Sequence, residues 1–293
     1  MYLLYGIAGA ILLYVGAIGA QALQDSSLFS RPDRLNVAFY GEEAIVLSFG
    51  LADEVNYVVS LSHEEKIVIP GGYNQYPLGS LGKLVALQKD PDIMQRAFSS
   101  MLSAYVNYYV SPRNPAVYQK PDTDAPQYKR TALIGKLFSH QHQANMNIFD
   151  RLFVTYLIAK HRQQDYVVLR SAVRRDVDDG THIFSEKNFQ KKYKGFFYYS
   201  TLREEGMEVQ IKYNVYKSAL TLSRIIEGQG IRIVDLTRTE KQVSRCLVVT
   251  SAEVKSNTVR FLAKALRCPV EKGATEGVDV VIYLGKELEK IWE

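Results

Sequence analysis

The sequence predicts an α+β protein: a hydrophobic N-terminal helix followed by two sandwich-like assemblies of strands and helices. Three observations carry this reading. Residues 2–23 run without a charge, short β-branched runs crowd 35–69 ahead of helical periodicity, and a strand-helix-strand order occurs twice after residue 207.

The 22 uncharged residues 2–23 stop just short of Asp25, the first charged side chain. At a helical rise of about 1.5 Å per residue they cross a hydrocarbon core of about 30 Å, so 1–24 reads as a single transmembrane anchor. Gly6, Gly9, Gly16 and Gly19 suit a membrane helix better than a soluble one, and Gly6/Ala10 and Gly16/Ala20 form small-xxx-small pairs. Ala20-Gln21-Ala22 also has the small-x-small form that signal peptidase requires, which keeps a cleaved signal open. Against cleavage stand the length of the run and the absence of a basic segment before it. A buried soluble helix is the third alternative, and it fits poorly because no side of the helix is polar. Arg31 and Arg34 follow the helix, and the positive-inside rule would keep them cytoplasmic. Asp25 and Asp33 offset them, so the bulk of the chain is expected on the extracytoplasmic side of a cell membrane.

A 47% hydrophobic and 23% charged composition is that of folded protein, and about 265 residues after the helix suffice for one large or two smaller domains. The net charge of +5 is unevenly spread. Residues 1–128 hold 8 Lys/Arg against 12 Asp/Glu and the remainder 28 against 19, so the C-terminal half is the one to meet anions.

Strands are expected at 35–40, 44–49, 55–61 and 66–69, each closed by charged or glycine-bearing turns. Asp90-Pro91 starts a helix, Asp90 capping and Pro91 in the first turn, that runs on through Ile93, Ala97, Met101 and Tyr105. Residues 111–128 hold four of the nine prolines and read as an exposed loop. A helical zone over 129–162 places Phe149, Leu152, Phe153, Tyr156 and Leu157 on one apolar stripe. A strand follows at 167–169, and 172–206 reads as a charged, aromatic-dotted connection. From 207 to 288 the elements are a strand at 208–213, a helix at 217–227, a strand at 231–236, a strand at 246–250, a helix at 257–267 and a strand at 278–284. Two such units pack their helices on one sheet, and the segment should fold by itself.

With those elements placed, residues 207–288 resemble the C-terminal domain often attached to LytR-CpsA-Psr (LCP) cell-envelope proteins. The likeness rests on GQGIRIVDL and on the ending VDVVIYLGKEL, an aspartate followed by an apolar run and Leu-Gly-Lys. Residues 35–171 resemble a divergent form of the LCP catalytic domain through LNVAFYG, VNYVVSLSHEEKIVIPGG and FDRLFVTYLIAKHRQQDYVVL. The resemblance implies transfer of a phosphate-linked glycopolymer from a polyprenyl-pyrophosphate carrier to a cell-wall acceptor, with arginines on the pyrophosphate and carboxylates on Mg²⁺. The family's motifs are nevertheless absent where they should stand: EEAIVLSFG occupies the place of Arg-Thr-Asp, SLSHEEKIVIPGG that of Ile-Pro-Arg-Asp, and no arginine lies between Arg34 and Arg96. No catalytic residue carries over. The expectation is a non-catalytic envelope protein without cofactor that binds a wall glycopolymer or an envelope partner. The alternative is a transferase with a rearranged site using Mg²⁺, in which Arg96, Arg113, Arg130 or Arg151 substitutes.

Other chemistry is sparse. His140-Gln141-His142 sets two imidazoles on different sides of a helix, and the glycines Gly71, Gly72, Gly79 and Gly82 lack phosphate-loop spacing. The stretch 189–199, FQKKYKGFFYY, alternates lysines and aromatics, which makes Lys191, Lys192 and Lys194 candidates for contact with a polyanion or lipid headgroup; a solvated connecting segment is the plainer reading. For an exported protein nucleic acid drops out as partner. Cys246 and Cys268 are the only cysteines. In a reducing compartment they would be buried thiols, but one opens a strand and the other ends a helix on the same sheet, so a disulfide is expected.

Overall fold

The computed structural model describes residues 2–119, 128–175, 182–241, 243–251 and 256–293. Helix α1 (Tyr2–Gln24) forms over the charge-free run. Side chains at 2–4, 6–12 and 15 lie outside the described residues, and among the described ones no helix is long and apolar enough to cross a membrane. The transmembrane expectation therefore draws no support from the fold itself.

After a short turn of helix, α2 (Ser27–Ser30), come β1 (Arg34–Phe39), β2 (Ala44–Gly50), β3 (Asn56–Leu61), and a hairpin of β4 (Lys66–Ile69) and β5 (Asn74–Pro77). Helices α3 (Leu81–Gln88) and α4 (Asp92–Leu102) lead into β6 (Tyr108–Pro112), α5 (Arg130–Phe138), β7 (His142–Ala144), α6 (Ile148–Lys160) and β8 (Tyr166–Arg170). The central sheet has the order β7-β6-β1-β2-β3-β8. Its middle strands are apolar at almost every position because both faces are covered. Ala38, Tyr40, Ala44, Val46 and Val59 join the core under α3 and α4; Val37, Phe39, Ile45, Leu47 and Phe49 alternate with them into a second core under α5 and α6.

The expected helical zone over 129–162 is two helices with an edge strand between them, because 142–144 pairs with β6. That same pairing takes Ser111 and Pro112 out of the expected proline-rich loop and into β6, with Pro112 at the end of the strand, beyond its pairing with β1; residues 120–127 of that loop lie outside the described residues. On α6 the expected stripe is only half right. Asp150, Val154, Leu157 and Ile158 face inward, whereas Leu152 and Tyr156 are exposed. Asp150 turns in because its carboxylate accepts the Ser27 N–H at the start of α2.

Residues 172–206 hold more structure than a connection. Strands β9 (Val173–Arg175) and β10 (His182–Phe184) complete a second sheet ordered β5-β4-β10-β9. Helices α7 (Glu186–Lys192) and α8 (Ser200–Glu205) follow, α7 started by Ser185 accepting from the Asn188 N–H.

The C-terminal domain is built from β11 (Glu208–Tyr213), α9 (Tyr216–Glu227), β12 (Arg232–Arg238), β13 (Cys246–Thr250), α10 (Asn257–Leu266), β14 (Val270–Lys272), β15 (Val280–Leu284) and α11 (Lys286–Trp292). The two units are as expected; β14 and α11 are additional. The sheet order is β12-β11-β15-β13-β14, with only β13/β15 antiparallel. Val209, Ile211, Val248, Val280 and Ile282 bury against Leu222, Ile226, Leu262 and Trp292.

Helix α4 joins the two halves. Its residues from Ile93 to Leu102 are all buried, and Asp90 starts it by accepting from the Asp92 N–H at 3.0 Å. Ser100 on α4 donates to Glu186, which also pairs with Arg224 of α9 at 2.6 Å. The α9–β12 turn lies so close to the end of α4 that a Cβ on Gly228 would overlap the Ser103 carbonyl oxygen. On the C-terminal side, Tyr199 and Leu202 belong to the core, and Glu205 accepts from the Asn257 and Thr258 N–H groups at the start of α10. Burial pushes the Glu205 carboxyl up, but those hydrogen bonds more than offset it and hold it below its ordinary value. Helix α8 thus packs into the core of the segment that follows it. A fragment of 199–293 should unfold cooperatively and exceed one of 207–293 in stability by about 2 kcal/mol, the value of one buried leucine; equal urea midpoints would show that α8 adds nothing.

Candidate functional site

Where α7 and the end of α4 meet the C-terminal domain, a cleft of about 1010 Å³ opens to solvent. Its wall is made by the basic-aromatic stretch. Phe189 is fully buried and packs on Phe184, Tyr193 and Phe197, with ring centroids 4.8–6.3 Å apart. Phe196 stacks on Tyr57 at 5.0 Å, and the Tyr193 hydroxyl accepts from the Arg170 N–H. Anchoring the rings inward leaves the lysines outward. Gly195, at φ +93°, makes the turn between Lys194 and Phe196 that an L side chain would strain.

Lys191 and Lys194 line the cleft together with Lys187, Arg203 and Arg232. Lys192 does not line it; its ammonium sits 5.1 Å from the Tyr193 ring centre. Arg203 lies 5.2 Å over Tyr198 and Arg232 pairs with Glu208 at 2.8 Å. Among the described residues Glu227 is the one carboxylate on this lining; burial pushes its carboxyl up, and Lys194 partly opposes that. Among the described residues five cations and one carboxylate line the cleft, so its lining is basic, and tyrosines flank it. Sequence reasoning missed Lys187, Glu227, Arg203 and Arg232. The signal for the first was the Ser185 cap that marks 186–192 as a helix; the others become neighbours only when the domains dock.

The arginines that could rebuild a pyrophosphate site do not converge. Arg96 pairs with Asp90 at 2.6 Å, Arg113 lines a separate small cleft beside α3, Arg130 donates to the His161 carbonyl, and Arg151 donates to the Met146 and Leu137 carbonyls. Among the described residues no three of His, Cys, Asp and Glu gather closely enough to hold a metal ion. His142 lies on an edge strand rather than a helix. The glycine-rich segment serves packing: the Tyr40 hydroxyl donates to the Gly79 carbonyl and accepts from the Gly82 N–H.

Fold and cleft together define a two-domain α+β protein with a basic, aromatic-walled cleft at the domain junction. No protein-family profile matches the chain. It is 31% identical over 94 residues to protein canopy-1 of Danio rerio, a match covering 31% of this chain and 46% of that protein, so the chain spans about half the length of the curated relative it matches. Among solved structures it is similar to B. subtilis TagV (11% identity, 55% of this chain and 97% of that one, TM-score 0.35) and to B. subtilis TagT (12%, 55% and 89%, 0.37). It is also similar to a LytR-CPS2A-Psr family protein, YwtF (TagT), with bound octaprenyl pyrophosphate lipid (12%, 54% and 90%, 0.35). Likeness at this level assigns no residue a role.

Cys246 and Cys268 stand 5.3 Å apart between Cα atoms, joined as a disulfide that ties β13 to the second residue after α10. Closing a loop of this size contributes about 3 kcal/mol by constraining the unfolded chain. Protein isolated from its native compartment should carry no free thiol by mass analysis, and reduction should lower its thermal midpoint by several degrees; two free thiols would contradict the pairing.

Proposed function

We propose that the chain is a membrane-anchored, extracytoplasmic cell-envelope protein that binds an anionic wall glycopolymer in the cleft between its domains and does not catalyse transfer. The observation that carries this reading is the cluster of Lys187, Lys191, Lys194, Arg203 and Arg232 on an aromatic wall. Phosphate groups along a glycopolymer would meet lysine ammonium groups and the Arg203 fork, while sugar faces would lie on Tyr193 and Tyr198. The charge-free helix and the disulfide support placement outside the cytoplasm, where disulfides persist.

Replacing Lys187, Lys191 and Lys194 together by Gln should weaken binding of a purified phosphate-linked wall glycopolymer at least about tenfold and flatten its salt dependence. Unchanged affinity by calorimetry would remove the cleft from consideration. Glu227 supplies the sign of the pH dependence. Its carboxyl titrates above the ordinary range, so as pH falls it protonates early, the cleft becomes more positive, and glycopolymer affinity rises; Glu227→Gln should abolish that rise.

The second reading, an LCP-type transferase, is favoured only by the resemblance. A departing pyrophosphate needs preorganised donors, and loss of even one costs on the order of 10²–10³ in rate. With Arg96, Arg113, Arg130 and Arg151 dispersed, purified protein given a lipid-pyrophosphate donor, an acceptor and Mg²⁺ should show no transfer above background. Turnover abolished by Arg96→Ala or Arg113→Ala would reverse this reading.

A further inference from the structure

Beside the end of α1 the protein leaves a large apolar surface uncovered. Phe29 on α2 is 65% exposed, and on α6 Leu152 and Tyr156 are 51% and 57% exposed, with Ile148 on the same helix also open to solvent. Leu152 and Tyr156 also border a groove of about 550 Å³ that continues over Leu28, Pro32 and Leu51. Aromatic and aliphatic side chains of this size, gathered in one place, mark a surface that is covered in use. Two cations, Arg31 and Lys160, line the same groove. Asp33, the one carboxylate lining it among the described residues, is turned to the start of α8, where it accepts from Ser200 and from the Thr201 N–H and hydroxyl.

The position of this face is fixed relative to α1. Asn147 at the start of α6 donates to the Ala22 carbonyl at 2.8 Å, Asp150 accepts from the Ser27 N–H at 2.7 Å, and the Ser27 and Tyr108 hydroxyls are 2.7 Å apart. The first contact ties α6 to α1 itself and the other two hold the start of α2, so the end of α1 lies against α6 and α2. Wherever α1 enters a bilayer, α2 and α6 arrive at the bilayer surface with it.

We infer that the α2–α6 face is a membrane-contacting surface, with Phe29, Leu152 and Tyr156 seated at the boundary of headgroups and acyl chains and Arg31 and Lys160 reaching lipid phosphates. This inference rests on the reading of α1 as an anchor and adds that the folded domain itself lies on the lipid, held at one orientation. The side-chain types are those of an interfacial belt: aromatics with a polar tip, aliphatics beneath, and long cations that snorkel. A seated α6 gives the glycopolymer cleft a fixed bearing toward the membrane.

Tryptophan quenching by lipid tests the inference on the full chain. The one native tryptophan, Trp292, is buried in the C-terminal domain and supplies a constant background. Leu13→Trp on α1, Leu152→Trp and Tyr156→Trp on α6, and Leu220→Trp on the exposed side of α9 are each reconstituted into vesicles of phosphatidylcholine and phosphatidylglycerol with brominated acyl chains. Quenching well above background is expected at 13, 152 and 156, with none at 220. Quenching at 13 alone would overturn the membrane-contacting face and leave the anchor standing. No quenching at any position would overturn both, and equal quenching at 220 would reveal unspecific adsorption and overturn the face.

Discussion

The organisation of this protein depends on the burial of α4 on every side. A helix that meets the central sheet on one flank, the small sheet and α7 on another, and α9 on a third buries its polar side as well as its apolar one, although its sequence is amphipathic. Ile93, Met94, Ala97, Phe98, Met101 and Leu102 fill the hydrophobic contacts. The polar residues at the other positions are small or paired: Ser99 accepts from the Val106 N–H, Ser100 donates to Glu186, and Gln95 donates to the Val106 carbonyl. A buried polar group is tolerated when it is hydrogen-bonded, so these serines let the C-terminal domain approach closely where leucines would hold it off.

Carboxylates complete the assembly by capping helices that belong to distant parts of the chain. Asp33 serves α8, Asp150 serves α2, Glu205 serves α10, and Glu289 accepts from the Asn214 and Val215 N–H groups ahead of α9. Each satisfies N–H groups that a helix start leaves open and places negative charge at the positive end of the dipole. Acidic residues are in this way used up in structure. Among the described residues the lining of the cleft carries five cations and one carboxylate, which is how a modest net charge yields a basic recess.

Much of this was legible in the chain. Strands 44–50, 56–61, 66–69, 208–213 and 246–250 and helices α9 and α10 were readable because β-branched runs and 3.6-residue stripes are local signals. The disulfide followed from the placement of two cysteines on neighbouring elements. What escaped was set by distant partners. Leu152 and Tyr156 fit the apolar period as well as Val154 and Ile158 do, and only the capping by Asp150 decides which face turns inward. Edge strand 142–144 exists because β6 offers it an edge. Lys191 and Lys194 could be singled out by composition, but Arg203 and Arg232 join them only through docking of the domains.

The central claim is that the cleft is a product of that docking, and Gly228 is the place to test it. A methyl group there collides with the Ser103 carbonyl, wedging the α9–β12 turn off α4 while every cleft lysine and arginine is retained. Glycopolymer affinity of Gly228→Ala should therefore fall to near the value for a chain lacking the cleft lysines, with the domains shown to be separated by small-angle scattering. Wild-type affinity in a variant whose domains have parted would contradict the account.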